Sequence, residues 1–195
     1  AMDEELCRSN PASRHGRSLR PGVRCAREIF SESEIEKLFE VSIDRWPDHY
    51  IKLLILARTG IREGEMLALQ PGDIDFQRQQ IWIRRTWESR NSRLASRCIN
   101  IPKSGKWRWV DISPQLSEVL KSYVDRLPPK GVWLFAGKAG KLPMHPASFQ
   151  WIWTKMLAAA ELPSRPPHSL RHTYVSMMID RGENMLYVRD QLGHS

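Results

Sequence analysis

The sequence predicts an α+β domain that is mainly α-helical and contains a small three-stranded antiparallel sheet. Three observations support this fold class. Apolar residues recur at helical spacing in residues 31–70 and again after residue 113, and the segment between these regions alternates apolar and polar residues. Glycine and proline mark the ends of the expected elements. At 195 residues, of which 41% are hydrophobic and 27% charged, the chain is long enough for one well-buried domain.

Three helices are expected in the first part of the chain. Ser31, followed three residues later by Glu34, predicts a capping box ahead of an apolar-periodic run. A second helix is expected from Pro47 through the apolar run IKLLILA to Gly60. A third is expected to begin around Arg62 and to end before the next Pro-Gly pair.

Three strands are expected in the middle of the chain. Residues 81–84, 99–101 and 110–112 alternate apolar and polar side chains, which is typical of half-buried strands. The run KSGK at residues 103–106 lies between the second and third of these strands, and its Ser-Gly pair suits a tight turn. The polar residues 88–96 are expected to form an extended loop.

Four helices are expected after the sheet. Ser113 as a cap and a following proline begin an amphipathic helix, and an apolar stripe over residues 149–156 predicts the next. A helix is expected from His168 to a stop at Gly182. A short final helix is expected from Asn184 to a glycine cap near the end of the chain.

Charge distribution indicates the kind of partner and the domain organisation. The net charge is +8 and the pI is near 9.7, which favours polyanionic partners. Part of the excess lies in the run RHGRSLRPGVRCAR, which has almost nothing apolar to bury. We therefore expect a basic, flexible arm in residues 1–27 ahead of one domain in residues 28–195. An ordered linker that crosses DNA is the alternative for the arm.

Two classes of protein are disfavoured by composition. The longest apolar run, residues 51–57, is far too short to span a membrane. Cys7, Cys25 and Cys98 show no paired spacing, so neither a disulfide framework nor a cysteine metal site is indicated, and a reducing compartment fits.

The run HSLRH brings three chemically active side chains together. His168, Arg171 and His172 have the i, i+3, i+4 spacing that places them on one helical face. They follow two prolines, at a helix start whose free backbone N–H groups and positive dipole end would attract a phosphate. A capping or satisfied surface histidine is the structural alternative for His168.

Two further runs carry candidate anion-binding residues. In TGIREGE, Arg62 precedes Glu65 by one turn, either as a local salt bridge or with the acid holding a guanidinium whose other donors face an anion. On the expected hairpin, Lys103, Lys106 and Arg108 form by default a solvated charged tip.

The order of these runs identifies a family. TGIREGE, then PKSGKWRWVDI, then HSLRH, then LGHS resembles the tyrosine recombinases, the phage-integrase family, over residues 28–195. The resemblance implies five catalytic residues: Arg62, Lys103, His168, Arg171 and His194. It implies that Glu65 is a supporting acid, and the choice of Lys103 over Lys106 rests on the family's position just before the turn. Contacts to DNA are expected from Lys106, Arg108, Arg24 and Arg27.

The resemblance also implies a reaction. The family breaks and rejoins double-stranded DNA through a 3′-phosphotyrosine and a free 5′ hydroxyl, with no metal and no cofactor. Two guanidiniums can donate to the oxygens of the phosphorane, where charge accumulates. The hairpin lysine would protonate the leaving 5′ oxygen, His168 would accept the proton of the nucleophile, and His194 would donate to the phosphate. Action in the cytoplasm at the nucleoid, in a bacterial or phage context, follows from the same resemblance.

The chain departs from the family at its end. The family's nucleophilic tyrosine follows the last histidine, whereas this sequence stops at Ser195. Tyr174 and Tyr187 precede that histidine in expected helices, where packing is the better interpretation. We therefore expect a catalytic domain truncated before its tyrosine and lacking cleavage by itself. The parent is expected to assemble as a tetramer on two DNA sites, and this fragment to be monomeric.

Two rival interpretations come from other classes. The protein could be a non-catalytic DNA-binding or regulatory remnant that uses the anion site only for phosphate contacts. Alternatively, His168, His172 and His194 could form a three-histidine metal site. Arg171 argues against the metal site, because a guanidinium between two ligands repels a cation.

Overall fold

The computed structural model describes residues 29–87, 99–102, 105–129 and 131–193. The helices within these ranges are α1 (Glu32–Arg45), α2 (Pro47–Thr59), α3 (Glu63–Leu67), α4 (Pro114–Val124), α5 (Pro146–Ala159), α6 (His168–Asp180) and α7 (Met185–Leu192), with a short 3₁₀ helix at Pro71–Asp73. The strands are β1 (Ile74–Asp75), β2 (Gln80–Ile83), β3 (Thr86–Trp87), β4 (Ile99–Asn100) and β5 (Arg108–Asp111). The predicted class, mainly helical α+β, is confirmed. None of the described helices combines the length and the apolar character that a membrane span requires.

Helix ends follow the capping residues read from the sequence. The Ser31 hydroxyl accepts from the Glu34 backbone N–H at 3.2 Å, and the Glu34 carboxylate accepts from the Ser31 N–H at 2.9 Å, which completes the capping box. Gly60, with φ 63°, ends α2 in the left-handed conformation. The Asn184 side chain caps α7, and Gly193 ends it with φ 66°. The structure confirms these predicted boundaries. They could be predicted from the sequence because caps are local interactions.

The three-stranded sheet is antiparallel with the order β1-β2-β5, but its membership differs from the prediction. Ile99–Asn100 pairs with Thr86–Trp87 in a separate two-stranded sheet, so placing it in the main sheet was wrong. The third member of the main sheet is β1, which pairs with β2 through Ile74 and Ile81. At two residues, β1 is too short to show a period-two pattern.

Three predicted segments lie wholly or partly outside the described residues. These are the basic arm at residues 1–27, the loop at 88–96, and the hairpin tip, of which 103–104 are not described. At the described edge of the tip, Gly105 has φ 68° and its N–H donates to the Pro102 carbonyl at 2.8 Å. This geometry agrees with the tight turn expected from the Ser-Gly pair.

Helix α2 forms the centre of the core. Most of its side chains are buried, including Leu53 and Ile55, and it packs against α1, α4 and α6. The contact with α6 is close where α2 ends: a Cβ built on Gly60 would lie 2.4 Å from the Tyr174 ring. Glycine at this position therefore lets the end of α2 approach α6 closely.

Replacing Gly60 with alanine should destabilise the fold. The new Cβ would meet the Tyr174 ring and would sit at a positive φ, so we expect a loss of about 2–4 kcal/mol in unfolding free energy. Urea denaturation measures this. Gly72→Ala is the matched control, because no atom lies within 4 Å of its added Cβ and its φ is not positive. Similar losses for both variants would contradict the packing described at the end of α2.

Candidate active site

A groove between α6, α7 and the start of α3 brings three predicted site residues together. Arg62, His168 and Arg171 line this space of about 580 Å³. Arg62 lies more than a hundred positions before His168 and Arg171 in the sequence, so the fold itself brings it to them. Lys103 and His194, the other two predicted catalytic residues, lie outside the described residues, as do the predicted DNA contacts Arg24 and Arg27.

Glu65 connects two arginines beneath the groove. Its carboxylate is 1% exposed and accepts from the Arg62 backbone N–H at 2.9 Å and from Arg62 Nη1 at 3.0 Å. Arg108 donates to both carboxylate oxygens, at 3.0 and 2.8 Å. Burial by itself raises the pKa of Glu65, but the hydrogen bonds and charge of Arg108, together with Arg62, hold it below its ordinary value. Glu65 is therefore an ionised carboxylate that fixes two guanidiniums.

Arg108 differs from its predicted environment. The expectation of a solvated hairpin tip is wrong for this residue, because its side chain is only 10% exposed. It pairs with Ile83 in the register of β2 and β5 and so shares the inward face of the sheet. Its Nε also donates to the Gln191 carbonyl at 2.8 Å, at the end of α7. Lys106 is exposed, as expected.

Arg171 joins the ends of two helices at the groove. It is 4% exposed, and it donates through Nη1 to the Gly60 carbonyl at 2.7 Å and through Nη2 to the Leu192 carbonyl at 2.9 Å. Burial and the nearby cations Arg62 and Arg108, opposed by Glu65, lower the pKa of Arg171 to about 10. The guanidinium remains protonated at neutral pH and brings a positive charge to the groove.

His168 and His172 lie one turn apart at the start of α6. Their rings meet edge to face, 4.7 Å between centres. Two backbone groups that the sequence suggested for anion binding are occupied: Ser169 N–H donates to the Pro166 carbonyl, and Leu170 N–H donates to the Pro167 carbonyl. The turn before α6 already has helical geometry, so its carbonyls take these donors. Positive charge at this helix start therefore comes from side chains.

The end of α7 is fixed by a network that no sequence motif indicated. Besides the Arg108 and Arg171 contacts, the Asp111 backbone N–H donates to Gln191 Oε1 at 2.8 Å. The Gln191 side-chain amide in turn donates to the Asp111 carboxylate at 3.2 Å. These contacts hold α7 against the edge of β5, immediately before the chain continues to His194. Gln191 and Asp111 are far apart in sequence, so only the fold reveals their pairing.

None of the four tyrosines lines the groove. Tyr174 is buried, and burial together with Asp111 and Glu183 raises the pKa of its hydroxyl to about 12. The Tyr187 hydroxyl donates to the Asp111 carboxylate at 2.9 Å, and burial and this contact raise its pKa. The described environments of Tyr174 and Tyr187 therefore agree with packing roles.

Within the described ranges, no group of three or more His, Cys, Asp or Glu side chains is placed to hold a metal ion. His194, the third member of the rival three-histidine site, is not among the described residues. Arg171 and Arg62 line the groove beside His168 and His172. These guanidiniums make the groove suited to an anion rather than a cation.

Replacing Glu65 with glutamine should destabilise the protein strongly. The variant leaves the Arg108 guanidinium, 10% exposed, and the Arg62 guanidinium, 26% exposed, without a compensating negative charge, and losing one partner of a buried ion pair costs about 3–5 kcal/mol. Glu161→Gln is the control, because Glu161 is 82% exposed and its pair with Lys37 should be worth less than about 1 kcal/mol. Urea denaturation of both variants measures the difference. Equal losses would contradict the anchoring role of Glu65.

The pH dependence gives a second test of the same variant. A carboxylate with a lowered folded pKa stabilises the fold above its unfolded pKa and loses that contribution as pH falls through the folded value. The stability advantage of the wild type over Glu65→Gln should therefore be full at neutral pH. It should shrink as pH falls below the ordinary carboxyl value of 4.5. A pH-independent difference would show that the Glu65 charge does not carry the effect.

Comparisons with known proteins identify relatives of this chain. The model of the phage integrase family matches residues 28–195. A XerC-like tyrosine recombinase of Caldanaerobacter subterraneus subsp. tengcongensis is 28% identical over all of this chain and 55% of its own length. The integrase/recombinase y4eF of Sinorhizobium fredii is 30% identical over 85% of this chain and 59% of its length. The chain thus spans about half the length of these relatives.

Solved structures show the same fold. The Tn1549 transposon integrase in complex with a circular intermediate DNA superimposes with a TM-score of 0.76 at 19% identity, over 87% of this chain and 58% of that one. The catalytic domain of bacteriophage HP1 integrase is 26% identical, with a TM-score of 0.58, over 86% of this chain and 80% of that domain. Because the family model covers most of the chain, the chain belongs to the phage integrase family of tyrosine recombinases.

Proposed function

We propose that this chain is the catalytic domain of a site-specific DNA recombinase and that the groove binds the phosphodiester that is cut and rejoined. One observation carries the proposal: Arg62 and Arg171 line a single groove while buried contacts hold each guanidinium in place. Family membership and the DNA-bound Tn1549 integrase support double-stranded DNA as the substrate.

The two arginines supply electrostatic stabilisation. As a nucleophile adds to phosphorus, negative charge builds on the non-bridging oxygens, and fixed cationic donors stabilise that charge without reorganising. Glu65 holds Arg62, and the carbonyls of Gly60 and Leu192 hold Arg171. A site in which the cations are fixed before DNA arrives loses little entropy when it binds the transition state.

The remaining roles involve proton transfer and positioning. His168 accepts the proton of the attacking hydroxyl, and Lys103 gives a proton to the 5′ oxygen as its bond to phosphorus breaks. His194 donates to a phosphate oxygen. Arg108 acts through Glu65 and the end of α7 rather than by touching DNA, which replaces the contact predicted for it.

The nucleophile is proposed to lie outside these residues. A tyrosine hydroxyl must reach the phosphate to form the 3′-phosphotyrosine, and none of the four tyrosines lines the groove. We place the nucleophile on a segment that follows His194 in the full-length parent. The bond energy is then kept in the phosphotyrosine, so rejoining requires no nucleotide cofactor.

Binding along the DNA is assigned to three further basic residues. Lys106 beside the hairpin turn and the arm residues Arg24 and Arg27 contact the phosphate backbone. The parent assembles as a tetramer on two DNA sites at the nucleoid, whereas this chain alone is a monomer. A non-catalytic DNA-binding remnant would share the backbone contacts but not the chemistry.

Duplex DNA should bind this chain with an affinity that depends strongly on salt and little on sequence. Phosphate contacts release counterions, so we expect the affinity to fall at least about tenfold between roughly 50 and 200 mM salt. Fluorescence anisotropy with a labelled duplex measures this. If the arm contacts the DNA backbone, a chain without residues 1–27 should bind the duplex more weakly than the 195-residue chain does. A flat salt titration would contradict the proposal.

Covalent chemistry separates an enzyme from a DNA-binding remnant. On a nicked suicide substrate, the chain ending at Ser195 should form no covalent adduct, whereas the chain extended with its parent's following sequence should form one. In the extended chain, Arg62→Ala should slow adduct formation by about a hundredfold or more, since it removes an oxyanion donor. Arg45→Ala, an exposed change on α1, should have little effect.

A denaturing gel detects the adduct. An adduct formed by the 195-residue chain through Tyr174 or Tyr187 would contradict the proposed position of the nucleophile. An extended chain that binds DNA but never forms the adduct would show the non-catalytic remnant instead.

A further inference from the structure

The outer face of the three-stranded sheet carries an aromatic cluster that is not part of the groove. Trp82 on β2 stacks on Trp109 on β5, with ring centres 5.4 Å apart and planes inclined by 15°. Trp107 meets Trp82 edge-on at 5.9 Å and is 64% exposed. The Trp82 indole N–H is buried without an acceptor in the described part of the chain, which costs stability. Packing alone explains such a cluster poorly.

Arg84 adds a fixed cation to this cluster. Its guanidinium carbon lies 4.5 Å from the centre of the Trp82 ring, and its Nε donates to the buried Asp73 carboxylate at 2.8 Å. Its two terminal nitrogens have no hydrogen-bond acceptor among the described residues. One step beyond the β2–β5 register, Arg84 lies opposite Trp107. We call Trp82, Trp107, Trp109 and Arg84 together the tryptophan face.

The charge around the tryptophan face is positive. Among the described residues, the Asp73 carboxylate is paired with two cations, Arg84 and Arg85, whereas the Asp111 carboxylate accepts from the neutral Tyr187 hydroxyl and keeps its negative charge. Lys106, exposed on the same hairpin, adds another basic side chain. Aromatic rings that stack on bases, next to cations that contact phosphate, are the features by which proteins bind single-stranded nucleic acid. A protein partner would instead have to supply an anion for Arg84.

We propose that the tryptophan face binds an unpaired nucleotide of the DNA, with Trp107 stacking on the base and Arg84 contacting a neighbouring phosphate. This rests on the proposed function, because strand cleavage is the step that frees bases from the duplex. An indole can stack on the face of a base only where that base has left the helical stack. The face therefore favours DNA with unpaired bases over intact duplex.

The experiment compares two DNA ligands and four variants, three at tryptophans together with Arg84→Gln, by fluorescence anisotropy. One ligand is a labelled duplex, and the other is the same duplex with a short single-stranded gap. The wild-type chain should bind the gapped ligand about tenfold more tightly. Trp107→Ala should remove this preference and leave duplex binding unchanged, and Trp107→Phe should retain part of it. Trp151→Ala is the matched control, because Trp151 is 61% exposed on α5 and also carries a cation, Lys155, over its ring.

Each outcome has a defined meaning. A preference lost with Trp107→Ala, kept with Trp151→Ala and reduced by Arg84→Gln supports the proposal. An unchanged preference in Trp107→Ala, or an equal loss in Trp151→Ala, overturns it. Loss of self-association in Trp107→Ala without any change in DNA binding identifies a protein interface and also overturns it. If the wild type binds neither ligand, the proposed function fails first, which separates the two claims.

Discussion

The buried charge of Glu65 is the interaction on which the site depends. Placing an ionised carboxylate where only 1% of it is exposed is costly, and it is tolerated because four hydrogen bonds from Arg62 and Arg108 compensate the charge. A carboxylate and two guanidiniums leave one net positive charge at the groove, and Arg171 adds a second. These residues thus place a net positive charge beside the groove, and the Glu65 carboxylate stabilises part of that charge.

The same contacts connect parts of the chain that are distant in sequence. Arg108 carries the connection from Glu65 on α3 to the Gln191 carbonyl, and Arg171 carries it from the end of α2 to the Leu192 carbonyl. Both cations lie at the negative end of the α7 dipole, which favours them there. A substitution at the hairpin or in α3 should therefore alter the position of the end of α7. The predicted final histidine directly follows this end.

Local signals allowed much of the fold to be predicted, and the motif order allowed the groove residues to be predicted. The caps at Ser31 and Gly60 are properties of a few adjacent residues, so they could be read directly. The error at Arg108 arose because a charged residue near a turn was assumed to be solvated. Arg108 lies two residues before Val110, so in a strand the two side chains share one face. Because Val110 is buried, this spacing was the available signal that Arg108 points inward. The Asp111–Gln191 pairing could not be predicted, since no local pattern links residues eighty positions apart.

The most direct test of a pre-formed anion site is a crystal structure of this chain grown with sulfate or vanadate. A single oxyanion should lie in the groove within hydrogen-bonding distance of both the Arg62 and Arg171 guanidiniums, with Glu65 still bonded to Arg62 and Arg108. A structure in which the two guanidiniums point to separate anions, or in which Glu65 is bonded to neither arginine, would contradict the central claim.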